Sequence, residues 1–236
     1  MDIYPAIDVE RGRLARIDRS TQRASVVRDD PLALAQAYVH EGARWVHVVD
    51  LDRALGSGRE NDRLVRRLCA LPGVAVQVGG NITDADWARD MLDAGAMRIV
   101  LGSAAAVEPG RLEGLVSAVG IDRAAVALDV RAGALAARDR SEPLPVALED
   151  LTALLAGIGV RTVLHRDLPR DGTLGGADLA GAAALTRRGF DVIAAGGVAT
   201  LEEVAEAARL GLAGVIVGRA LLHGRFTLPE AIACSG

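Results

Sequence analysis

The chain has 236 residues, a net charge of −4 and 50% hydrophobic residues, only 3% of all residues being aromatic. That balance offers no overall attraction to nucleic acid or to an anionic membrane, and no apolar run reaches the ~18 residues of a membrane span. All 27 basic residues are Arg, so a Schiff base or any other lysine chemistry is excluded.

In chain order, short β-branched runs alternate with longer amphipathic ones. Strands are predicted at 3–7, 45–50, 75–78, 99–101, 125–129, 162–165, 191–194 and 214–217. They are unalternating, as expected for parallel strands covered on both faces. Helices are predicted at 31–41, 61–71, 84–94, 111–119, 147–156, 177–188, 201–210 and 228–234, with Thr83 and Thr200 as N-caps ahead of acidic first turns. Eight βα units with no Pro/Gly/Ser-rich linker point to an α/β fold, one closed (β/α)8 TIM barrel, over an open doubly wound sheet. The first strand begins too early to leave room for a signal peptide, so a cytoplasmic protein is expected. Cys69 reads as a buried thiol and Cys234 as a tail thiol. Neither has metal-ligand spacing.

The chain is also written twice. Ile7-Asp8-Val9-Glu10-Arg11-Gly12 returns as Leu128-Asp129-Val130-Arg131-Ala132-Gly133. Gly42 and Asp50-Leu51 return as Gly159 and Asp167-Leu168, Gly79-Gly80 as Gly196-Gly197, and Gly102 as Gly218. Such a repeat predicts two half-barrels, 1–120 and 121–236.

Chemistry in such barrels sits where strands end at the C-terminal face. Gly196-Gly197 and Gly218-Arg219 close the last two strands, where backbone N–H groups often hold a phosphate. Gly79-Gly80 and Gly102-Ser103 repeat them, predicting two phosphate sites across one mouth and a long, double-ended ligand. Asp8 and Asp129 end opposite strands and Asp171 follows the sixth, which suits paired general acid and base work. His165 is the one competing histidine at a strand end. The acids are spread around the mouth rather than grouped, so no metal is expected. Asp50 and Asp167 read as loop and cap residues.

The stretches Pro5-Ala6-Ile7-Asp8, Val48-Val49-Asp50-Leu51-Asp52, Gln77-Val78-Gly79-Gly80, Leu101-Gly102-Ser103-Ala104-Ala105, Asp171-Gly172-Thr173-Leu174, Gly196-Gly197-Val198 and Ile216-Val217-Gly218-Arg219-Ala220-Leu221 carry a resemblance. With Arg225-Phe226-Thr227-Leu228, they resemble the histidine-biosynthesis isomerases (the HisA family, including bifunctional phosphoribosyl isomerase A members), which convert the aminoaldose ProFAR into the aminoketose PRFAR. The resemblance implies a cofactor-free Amadori rearrangement on a small phosphoribosyl substrate by a monomeric protein. It implies Asp8 as base, Asp171 as acid and Asp129 as a supporting acid. Gly80, Ser103, Gly197, Gly218 and Arg219 match the family's phosphate loops, and Gly79, Asn81, Gly102, Arg166, Gly172 and Gly196 beside them are expected as further substrate contacts. Three positions depart from the family pattern. Asn81-Ile82-Thr83 replace a third glycine and an arginine, Arg166 replaces a threonine, and the loop at 138–143 lacks a Gly-Trp. Arg166, Arg138 or Arg140 could take over the missing contacts, and Arg166 would lower the pKa of nearby carboxylates. Isomerisation of phosphoribosylanthranilate, alone or as a second activity, and a non-catalytic phosphosugar-binding barrel are the alternatives.

Overall fold

The structure, a computed structural model, describes residues 1–18, 23–28, 30–108, 110–137 and 142–236, with side chains left out at 16–18 and 23–28. The first half runs β1 (Asp2–Glu10), β2 (Arg13–Asp18), β3 (Arg23–Arg28), α1 (Pro31–His40), β4 (Trp45–Asp50), α2 (Leu51–Ala54), α3 (Asp62–Cys69), β5 (Ala75–Gly79), α4 (Ala85–Asp93), β6 (Arg98–Gly102), a 3-10 turn (Ser103–Val107) and α5 (Arg111–Val119). The second runs β7 (Ala124–Arg131), β8 (Ala134–Leu135), α6 (Leu148–Gly157), β9 (Thr162–Asp167), α7 (Leu179–Arg187), β10 (Asp191–Ala195), α8 (Leu201–Arg209), β11 (Gly214–Val217), α9 (Arg219–Leu222) and α10 (Leu228–Cys234).

Eight of these strands pair in parallel in the order β1-β4-β5-β6-β7-β9-β10-β11, and β11 returns to β1 through Asp2↔Gly214 to Pro5↔Val217. The sheet is therefore closed, as a (β/α)8 TIM barrel. Met1 donates its terminal ammonium to the Ser235 carbonyl at 3.1 Å, so the two ends of the chain meet beside that closure.

The alternation of a strand divides its side chains between two cores. Ile3, Ile7, Val46, Val48, Val163 and Val215 join the layer between sheet and helices. Tyr4, Ala6, Val100, Ala125, Ala127, Leu164, Ile193 and Ile216 fill the barrel interior. Continuing the inward phase by two residues places Asp8 beyond Ala6, Asp129 beyond Ala127 and Arg166 beyond Leu164, all at the C-terminal mouth.

The expected strands and helices are present, with ends moved by a few residues. What the periodicity missed is a hairpin on β1. Arg11 (φ 48°) and Gly12 (φ 75°) make a two-residue left-handed turn into β2, with Glu10↔Arg13 paired across it. Ala132 (φ 50°) and Gly133 (φ 81°) make the same turn between β7 and β8, with Arg131↔Ala134 paired. Thr83, expected as an N-cap, does not cap α4. Asp84 caps α4, accepting from the Asp86 and Trp87 N–H groups at 3.0 and 3.2 Å, because Asp84 and not Thr83 is the extended residue immediately before the first helical turn. Thr200 does cap α8, in a reciprocal box with Glu203. Cys69 is buried, and burial pushes its thiol up to about 12, so it is inert.

Candidate active site

The mouth divides into two lobes. The first is walled by Asp8, Asp171, Gly172, Gly196, Gly197, Gly218 and Arg219. The second is walled by Gly79, Gly80, Asn81, Gly102, Ser103 and Asp129. His47, Val49 and Arg166 line both, so the lobes are continuous over the centre of the barrel. Two of the three acids, Asp8 and Asp171, thus share a lobe, and Asp129 lies in the other. Asp129 forms an ion pair with Arg166, Oδ1 to Nε at 3.3 Å, and both side chains are largely buried. The Arg138 and Arg140 alternatives lie outside the described residues.

Inward-facing glycines hollow the second lobe. A Cβ on Gly102 would meet nothing within 4 Å, and one on Gly79 would rest on Val100 at 3.5 Å. The glycines around the first lobe have a different necessity. A Cβ on Gly196 would lie 2.8 Å from that of Asp171, and one on Gly197 would lie 2.3 Å from the Gly176 carbonyl oxygen. Both have positive φ, so this turn admits only glycine and packs tightly on the loop that carries Asp171. Gly176 N–H donates to the Gly197 carbonyl at 3.1 Å, closing the two loops on each other. Arg219 donates to the Gly172 carbonyl, tying the strand-eight end to the same loop. Asp171 is fixed at its base by its N–H bond to the Asp167 carbonyl at 3.0 Å.

Each lobe also receives the start of a short turn of helix. Gly102 is the N-cap of the 3-10 turn and Gly218 that of α9, and neither turn has a side-chain cap. Among the longer helices Asp30 caps α1 and Asp84 caps α4, whereas α3, α5 and α6 also lack a side-chain cap. Backbone N–H groups at an uncapped start favour an anion.

The remaining acids are structural. Asp50 is fully buried and caps α2, accepting from the Asp52 N–H at 3.1 Å and from Asn61 Nδ2 at 2.7 Å. Burial pushes its carboxyl up, and the bonds from Asn61 and Arg53 oppose that rise. Asn61 also donates to Asp52 and to the Val9 carbonyl, while the Arg11 and Gly12 N–H groups donate to Asp52 and Asn61 at 2.8 Å each. This network pins the hairpin turn beside the mouth. Asp167 pairs with Arg170 at 3.2 Å.

His165 is corrected as a competitor. Its phase on β9 is outward, and its Nε2 lies 2.8 Å from Asp178 Oδ2 at the start of α7. His47, Arg111 and Arg131 line the mouth without having been singled out. His47 sits in the middle of an apolar strand rather than at its end, so the strand-end rule passed over it. The inward phase two residues short of Val49 was the signal that could have found it.

The chain matches the family model described as "Histidine biosynthesis protein" over residues 2–227. It is 38% identical to a protein of Symbiobacterium thermophilum over all of this chain and 97% of that one. It is 40% identical to one of Thermomicrobium roseum, over 98% and 96% of the two chains, and 38% identical to one of Thermus thermophilus, over 98% of each. All three are named 1-(5-phosphoribosyl)-5-((5-phosphoribosylamino)methylideneamino)imidazole-4-carboxamide isomerase. The chain belongs to the histidine biosynthesis protein family.

Proposed function

We propose that this chain isomerises ProFAR to PRFAR, the step its relatives are named for. The observation that carries the reading is a double-ended mouth with an acid pair at one end. The relatives' substrate name contains two phosphoribosyl groups, and each lobe offers an uncapped helical start to an anion.

In this reading the reacting ribose lies in the first lobe, with its phosphate at Gly197, Gly218 and Arg219. Asp171, as the acid, protonates the ring oxygen while the bond from that oxygen to the anomeric carbon breaks. The amine nitrogen's lone pair forms the imine that results. Asp8 then removes the proton from the neighbouring ribose carbon, and the electron pair moves to give the enolamine. Protonation at the former anomeric carbon, with loss of the proton from the neighbouring enol hydroxyl as its C=O forms, leaves the aminoketose. One carbon is reduced as its neighbour is oxidised, so no external electron acceptor is required. Asp129, held by Arg166, supports from the second lobe, where Gly80, Asn81 and Ser103 meet the other phosphoribosyl group. The resemblance also favours a monomeric, cytoplasmic enzyme.

Steady-state assays with ProFAR and with phosphoribosylanthranilate test the reading. Turnover of ProFAR is expected. Turnover of phosphoribosylanthranilate alone would move the assignment to the other isomerisation, and folded protein inactive on both would overturn the enzyme reading.

A further inference from the structure

A chain of polar side chains runs through the barrel interior from its closed end to the mouth. At the bottom, Arg98 stacks over the Trp45 ring at 4.5 Å and donates to the Tyr4 hydroxyl at 3.3 Å. The same guanidinium donates to Gln77 Oε1 at 3.2 Å. Gln77 is fully buried, and its Nε2 lies 3.1 Å from His47 Nδ1. His47 in turn lines both lobes, in register beside Ala6 and below Asp8.

The direction of every bond in this chain follows from one fact. A guanidinium has donors only. Arg98 therefore claims the carbonyl oxygen of Gln77, which decides which end of the amide faces which way. The amide nitrogen is left for His47, and it too has donors only. His47 Nδ1 must accept, so it carries no proton.

We propose that Gln77 is a positioning residue that holds His47 as the neutral tautomer protonated at Nε2. The ring then meets the middle of the bound substrate as a hydrogen-bond donor and not as a base. This leaves Asp8 as the proton acceptor of the first lobe. The role in turnover rests on the isomerase reading above, whereas the tautomer does not.

The test is nitrogen NMR on the full chain labelled at its four histidines, with His47→Asn to assign the His47 signals. At neutral pH the wild-type ring is expected to show an unprotonated, pyridine-type Nδ1 and a protonated Nε2. Gln77→Glu replaces the donor with an acceptor that still satisfies Arg98, so Nδ1 should become protonated. Either resulting state costs activity. A neutral ring protonated at Nδ1 no longer donates through Nε2, and an imidazolium in the lobe of Asp8 weakens that base. A loss in kcat/KM of about tenfold or more on ProFAR is expected, the scale of one hydrogen bond. A wild-type ring protonated at Nδ1 overturns the proposal, and that spectrum decides even where the variant does not fold. A folded Gln77→Glu with unchanged Nδ1, or with a changed ring and full activity, also overturns it. Wild-type protein that turns over no ProFAR defeats the isomerase reading instead, and the spectrum still reports the tautomer.

Discussion

Asp8 and Asp129 occupy equivalent places in the repeat, yet their surroundings differ. Asp129 is held by the Arg166 guanidinium, whereas Asp8 shares its lobe with Asp171. In the proposed mechanism Asp8 is the base, and its lobe also holds the acid Asp171. Asp8→Asn keeps the shape and removes the base. We expect kcat on ProFAR to fall by about 10²–10⁴-fold, with ligand binding retained by calorimetry. A variant that changes only affinity would return Asp8 to a binding role. Asp8 and Asp171 were legible as strand-end acids. The Arg166–Asp129 contact was foreseen only as a charge near carboxylates, because which carboxylate it meets depends on the pairing of β7 with β9.

At the scale of elements, helix starts separate local from tertiary control. Thr200 and Glu203 form a capping box whose partners are three residues apart, so both the box and its position were readable. Thr83 carried a similar signal but is exposed, and Asp84 took the cap. Thr200→Ala is expected to cost about 1 kcal/mol in urea unfolding, while Thr83→Ala should leave the midpoint nearly unchanged. The start of α7 adds a pH dependence. Burial pushes the Asp178 carboxyl up, but the bonds from His165 and the Gly181 N–H outweigh it and leave it below its ordinary 3.8. A depressed carboxylate stabilises the fold above its unfolded pKa, and that contribution is lost as pH falls through the folded value. Asp178→Asn should therefore flatten the acid limb of a stability-versus-pH curve below about pH 4 and lower stability near neutrality. An unchanged acid limb would show that the pair is energetically idle.

For the whole molecule, we propose that the halves 1–120 and 121–236 descend from one plan but act as one unit. The left-handed turns at Arg11-Gly12 and Ala132-Gly133 repeat in conformation. Yet β1 pairs with β11 across the ends of the chain, and the interior layer draws Tyr4 and Val100 from one half and Leu164 and Ile216 from the other. Trp45 packs on that interior and Trp87 lies in the outer layer. Thermal unfolding followed by tryptophan fluorescence and by far-ultraviolet circular dichroism should give one shared midpoint. Two separated midpoints would mean that the halves melt independently.

The sequence by itself determined the eight βα units and the strand ends where the acids and glycines lie. These follow from hydrophobic period and turn chemistry, which act over a few residues. Only the tertiary structure decided that Asp8 and Asp171 share a lobe, that Arg166 holds Asp129, that His165 turns outward to Asp178, and that His47 faces the mouth at the end of the Arg98–Gln77 chain. Those outcomes depend on which strands are neighbours and on the inward or outward phase of each residue. Groups as far apart in the chain as Tyr4 and Arg98 are brought together by closing the sheet, and no local pattern records that contact.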